Sequence, residues 1–75
     1  MNKTPEEITS DLIDQFIVLR KEHGLSHEQL AKKAGLSRAA ISFIENDKRT
    51  PTILTCLKIC EALEINMHEL LEAIE

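Results

Sequence analysis

Tryptophan and tyrosine are absent from this chain of 75 residues, and phenylalanine occurs only twice, at Phe16 and Phe43. A core must therefore be built from leucine, isoleucine and alanine, within a hydrophobic fraction of 43% that is enough for one compact interior. No apolar run approaches the roughly 18–20 residues of a membrane-crossing helix. The opening "MNKTPEEITSD" is polar and acidic, unlike a secretory signal. A soluble, cytoplasmic chain is expected. Cysteine occurs twice, at Cys56 and Cys60, one helical turn apart. In an apolar-periodic segment that spacing predicts two small buried residues with free thiols. His23 and His27 could complete a zinc set with them, but Gly24 breaks the helix between the histidines, so no metal site is expected. There is no glycine-rich phosphate loop and no Ser, His and acid set that a helical scheme would bring together. An enzyme is not expected, nor a cofactor.

The formal net charge of −4 looks wrong for a partner of nucleic acid. Its distribution reverses that impression. Residues 1–19 hold Lys3 against four acids, and residues 50–75 hold Lys58 against five. Residues 20–49 hold seven Lys or Arg against four acids, a local excess of three positive charges. Local sign decides what a surface attracts.

Five helices can be read, and no strand pattern. Thr4, Pro5 and Glu7 form the start of the first: an N-cap, a proline at the first helical position and a capping-box partner. Ile8, Leu12, Phe16 and Leu19 follow at helical spacing, with Ile13 and Ile17 as a second apolar stripe, before Gly24 ends the helix. Ser26 and Gln29 cap the second helix, whose inward positions are Leu30, Ala31 and Ala34, and Gly35 closes it. Ser37 caps a third helix that runs to about Glu45. The loop "NDKRTP" follows, and Pro51 blocks continuation. Thr52 caps a fourth helix, in which Ile53, Leu54, Leu57 and Cys60 are expected to face inward, with Ile59 and Leu63, while the facing of Cys56 is left open. Asn66 and Glu69 are the expected cap and box partner of a fifth helix carrying Met67, Leu70, Leu71 and Ile74. Residues 1–75 are expected to form a single domain, without linker or repeat.

The stretch "GLSRAAISFIENDKRTP" carries the function. Ile41 and Ile44 attach one side of a short helix to a core. The other side bears Arg38, Ala39 and Ser42, with Phe43 on its flank. Two short capped helices joined by a glycine turn form a helix-turn-helix, and the second can project its free face into a DNA major groove. There Arg38 can donate two hydrogen bonds to guanine, Ala39 allows close approach and Ser42 can bond a base edge or phosphate. Phe43 can lie against a thymine methyl, or tuck into the edge of the core. Ser26 and the amides after it can hold a phosphate, and Lys48 and Arg49 can neutralise the DNA backbone. Glu45, beside phosphates, suits a structural bond better than a base contact.

At this point "GLSHEQLAKKAGLSRAAISFIENDKRTPT" resembles the helix-turn-helix of the Cro/cI-type, phage-repressor-like DNA-binding proteins. The shared positions are Leu30-Ala31, Ala34-Gly35, Leu36-Ser37, Ile41-Ser42, Ile44-Glu45-Asn46 and Pro51. The likeness continues through "LKICEALEINMHELL" and covers roughly residues 12–72. It implies an all-α, five-helix, lambda-repressor-like domain and a sequence-specific transcriptional regulator that binds a palindromic operator in double-stranded DNA as a homodimer. Base-contacting positions then fall on Arg38, Ala39, Ser42 and Phe43. Phosphate positions fall on Ser26, His27, Ser37, Asn46, Lys48 and Arg49. The chain departs from the family pattern at His27, where Gln is common, and at Phe43, where a polar residue is common. The first departure predicts pH-sensitive phosphate binding. The expected dimer face is Leu71 with Ile74, or the Ile13/Ile17 stripe. The rival reading is a protein-interaction module of the same fold, such as an antitoxin or adaptor.

Overall fold

The computed structural model describes residues 2–74. Five helices follow one another: α1 (Pro5–Glu22), α2 (His27–Ala34), α3 (Arg38–Glu45), α4 (Ile53–Ala62) and α5 (Met67–Ile74), with no strand among the described residues. Each of the first four begins where its cap does. Thr4 Oγ1 accepts from the Glu7 amide at 3.1 Å, and Glu7 Oε1 accepts in return from the Thr4 amide at 3.1 Å. Ser26 and Gln29 repeat that reciprocal box on α2. Ser37 and Thr52 accept from the Ala40 and Thr55 amides on α3 and α4. These bonds satisfy amides that a helix start would otherwise leave unpaired.

The ends of α1 to α4 also share one geometry. The Leu25 amide reaches back to the Arg20 carbonyl at 3.0 Å, Leu36 to Ala31 at 2.9 Å, Lys48 to Phe43 at 2.7 Å and Ile65 to Cys60 at 3.0 Å. This closure needs one left-handed residue per turn. Gly24 (φ +67°) and Gly35 (φ +68°) supply two, and Asp47 (φ +58°) and Glu64 (φ +57°) supply the others. The turn between α2 and α3 is thus only three residues long, which fixes α3 closely against α2.

Phe16, Leu30, Ile41, Ile59 and Leu63 are the largest fully buried side chains, drawn from α1, α2, α3 and the end of α4. α2 packs on α3 and α4, while α1 lies against both α3 and α5. That double role corrects one expectation. The second stripe of α1 is no free surface: Ile13 is 5% exposed and Ile17 packs against the core, because a helix with two neighbours needs two apolar stripes. Ile74 is likewise buried, at 8% exposure, and Leu71 leans on the core. Lys3 Nζ ties the two chain ends together, donating to Asp11 Oδ2 at 2.6 Å and to the Ile74 carbonyl at 2.7 Å.

A second correction concerns α4. Ile53, Leu54 and Leu57 face outward, at 77%, 63% and 47% exposure, and the buried face is Cys56, Ile59, Cys60 and Leu63. Seven of the ten residues of α4 are apolar, so two stripes compete, and the one that meets α2 and α5 is buried. Cys60 Sγ lies 3.6 Å from Met67 Sδ on α5. Both thiols are free, as expected. Burial pushes the pKa of each up, with Cys56 adding to the effect at Cys60. At the start of α5, Asn66 Oδ1 accepts from the His68 amide at 2.8 Å rather than pairing with Glu69.

Candidate nucleic-acid interface

α3 has eight residues, too few to hold a helix without packing. Ile41 (1% exposed) and Ile44 (2%) anchor it. Glu45, one turn beyond Ile41, falls on the same inward side. A carboxylate there needs a partner, and Arg20 provides one from α1. Its Nε donates to Glu45 Oε2 at 2.6 Å and its Nη2 to Oε1 at 2.9 Å, while Nη1 donates to the Leu25 carbonyl at 2.7 Å. His27 Nε2, at the start of α2, donates to Glu45 Oε1 at 3.0 Å. The Arg20 and Glu45 side chains are only 12% and 10% exposed. Burial alone would raise the Glu45 pKa. The hydrogen bonds from Arg20 and His27, together with their charges, outweigh it and hold the carboxyl below its ordinary value. One carboxylate thus joins α1, α2 and α3.

Glu45 therefore has the structural bond expected of it. Arg20 is the functional residue that sequence reasoning missed. The available signal was spacing: Arg20 stands one turn after the buried Phe16, as Glu45 stands one turn after Ile41.

With α3 fixed this way, Arg38, Ala39 and Phe43 are exposed, and Ser42 is half-buried beside them. Phe43 is 44% exposed, outside the core, which decides between the two readings of its ring. The Arg49 guanidinium lies over it, 5.2 Å from the ring centroid. Asn46 turns its amide back onto α3, donating to the Ser42 carbonyl at 2.9 Å and to Ser42 Oγ at 3.4 Å. Its amide thus caps the last turn of the helix instead of reaching outward.

Ser26, His27 and Arg38 come together around an open cleft of about 600 Å³ between the starts of α2 and α3, with Arg20 and Glu28 completing the lining. The Oγ of Ser26 and Ser37 accept as caps, which leaves each hydroxyl its own proton to donate. Lys48 and Arg49 lie apart from that cleft, in a loop that faces Pro5, Glu6 and Thr9 of the first turns of α1. The Arg20–Glu45 pair removes one charge of each sign from residues 20–49. The six remaining cations and three remaining acids of that segment are all exposed, so the local positive excess lies on the surface.

The chain is similar to known proteins. Residues 18–70 match the helix-turn-helix family. The antitoxin HipB of Escherichia coli K12 is 34% identical over 58 residues, 77% of this chain and 66% of HipB. The transcriptional regulator SinR of Bacillus subtilis is 39% identical over 54 residues, 71% of this chain and 49% of SinR. Among solved structures, a mutant of the restriction-modification controller protein C.Esp1396I superposes with a TM-score of 0.82 at 33% identity, covering 89% of this chain and 87% of that one. No helix among the described residues is long and apolar enough to cross a membrane.

Proposed function

The chain belongs to the helix-turn-helix family of transcriptional regulators, and from that premise we propose that it binds a palindromic operator in double-stranded DNA as a homodimer, with α3 in the major groove. The observation that carries this reading is the two-sidedness of α3: Ile41 and Ile44 are buried, while Arg38, Ala39 and Phe43 stand exposed among surface cations. Arg38 donates to guanine, Ala39 admits the helix to the base edges, and Ser42 and Phe43 contact the next steps. Ser26, His27 and Ser37 take phosphates at the helix starts, with Lys48 and Arg49 on the following stretch of backbone. His27 keeps Nε2 on Glu45 and offers the opposite side of its ring.

The dimer face is the outward stripe of α4. Ile53, Leu54 and Leu57 form an exposed aliphatic cluster on one helix, whereas the side chains of Ile13 and Ile74 lie in the protomer's own core. Two protomers joined there would present recognition helices one DNA turn apart, about 34 Å. The same α4 stripe also favours a second reading, in which a different protein docks on it, as the likeness to an antitoxin suggests.

Selection of bound sequences from a random duplex pool at about 0.15 M salt tests the first reading. A recovered palindrome supports both DNA recognition and the dimer. Recovery of no sequence overturns the DNA reading in favour of the docking module.

A further inference from the structure

Phe43 has no hydrogen-bonding atom, so it cannot read the donor and acceptor pattern of a base edge. The apolar group that the major groove offers is the C5-methyl of a pyrimidine. A ring laid against any other part of a base edge would strip water from polar atoms and return nothing.

Two features prepare Phe43 for that contact. Its neighbour one turn earlier on the same face is Ala39, which adds only a methyl and leaves the approach open. Its ring is also braced. The Lys48 amide closes on the Phe43 carbonyl at 2.7 Å, with Asp47 left-handed at φ +58°, and this reversal carries Arg49 back over the ring. The Arg49 guanidinium forms no ion pair among the described residues and lies against the ring at cation–π distance. A side chain ordered before binding loses less entropy when it binds.

We infer that Phe43 and Arg49 form one reading unit, in which Arg49 holds the ring and the exposed ring packs on the C5-methyl of a pyrimidine in the operator. This rests on the DNA-binding reading above. It makes Arg49 a positioning residue for base readout, beyond its charge. Two bases carry the required methyl, thymine and 5-methylcytosine.

The test starts from the operator recovered by selection. Each thymine is replaced in turn by deoxyuridine, which removes the methyl alone, and affinities are measured by fluorescence anisotropy. One thymine per half-site is expected to lose about fourfold in affinity, the value of one buried methyl-sized group. Cytosine in place of that thymine, with guanine opposite, should gain by a similar factor on C5-methylation. Phe43→Ala should erase both differences while still binding, because the ring is no part of the core. Arg49→Lys keeps the charge and loses the planar stack. It should shrink the ratio of thymine to deoxyuridine affinities, a ratio that any general loss of phosphate affinity leaves untouched.

A deoxyuridine scan without effect at any position, on an operator that binds tightly, overturns the inference and spares the DNA-binding reading. A methyl effect that survives Phe43→Ala also overturns it, and one that stays whole in Arg49→Lys removes the role of Arg49. Failure to recover any operator overturns the parent reading and this one together.

Discussion

α3 and α4 are both short, both capped by a hydroxyl residue, and both leave large apolar side chains exposed, yet the exposures differ in kind. On α3 one aromatic ring stands out, bracketed by Ala39 and braced by Arg49. On α4 three aliphatic side chains stand out as a stripe, with Ile53 at 77% exposure. A single braced ring suits a small, specific contact such as one methyl group. A bare aliphatic stripe suits removal from water against another protein surface. On the proposed function, the difference separates two tasks, reading and pairing, onto adjacent helices.

The largest expected effect breaks the comparison at its root by releasing α3. Glu45→Ala leaves Arg20, 12% exposed, as an uncompensated buried charge, and should destabilise the fold by about 3–5 kcal/mol. Urea unfolding measures this. A loss below about 1 kcal/mol would mean that Arg20 swings out to solvent. The same carboxylate predicts an acid response. Its pKa is lowered in the folded state from an ordinary value of about 4.5, so its stabilisation is complete above that value. It drains away as the pH falls through the folded-state value, because the unfolded chain takes up the proton first. Glu45→Gln should flatten that part of the acid-unfolding curve.

Smaller effects sharpen the division of tasks. Leu54→Glu places a charge at the centre of the α4 stripe and should weaken the dimer by about 2–4 kcal/mol, as a central interface residue does. Analytical ultracentrifugation reads it, and an unchanged dissociation constant would move the dimer face elsewhere. Arg38→Ala should leave the dimer intact and cost about 1–3 kcal/mol of specific binding, with relaxed preference at one base pair. Lys48→Ala should instead weaken binding to all sequences alike and lower the salt slope by about one. If Lys48→Ala relaxed one base pair only, Lys48 would belong with the base-reading residues.

These two helices also mark how far the sequence could be read. α3 was legible because Ile41 and Ile44 are its two large aliphatics, and they share one side. The starts of α1 to α4 were legible because Thr4, Ser26, Ser37 and Thr52 each precede an apolar-periodic run. The facing of α4 was not, because periodicity cannot choose between two apolar stripes; the neighbours choose. Ile13 was misread for a related reason, since a helix packed on two sides looks, in one dimension, like a helix with a spare face. The Arg20–Glu45 pair spans 25 residues, and only the fold brings those positions together. The Phe43–Arg49 stack depends on the left-handed Asp47, a backbone state that Gly24 and Gly35 advertise in their turns and an aspartate does not.

That last contrast yields the smallest prediction. Four helices end in the same turn, yet two of the left-handed positions are held by side chains that disfavour it. Glu64, without the short polar side chain that eases this conformation, carries the larger strain, of order 1–2 kcal/mol. Glu64→Gly relieves it but gives the unfolded chain more freedom, worth about 0.4–1 kcal/mol in the opposite direction. The net expectation is a gain of about 0.5 kcal/mol in thermal or urea unfolding. Asp47 tolerates the left-handed state better, so Asp47→Gly should change stability by less. It stands in the turn that returns Arg49 to Phe43, however, and a glycine there loosens the brace. The pair of substitutions therefore sorts the two turns. At the end of α4, glycine should raise stability and leave DNA affinity unchanged. At the end of α3, it should leave stability nearly level and reduce the discrimination between thymine and deoxyuridine. Equal behaviour of the two variants in both measurements would mean that the turn after α3 closes a helix and does nothing more.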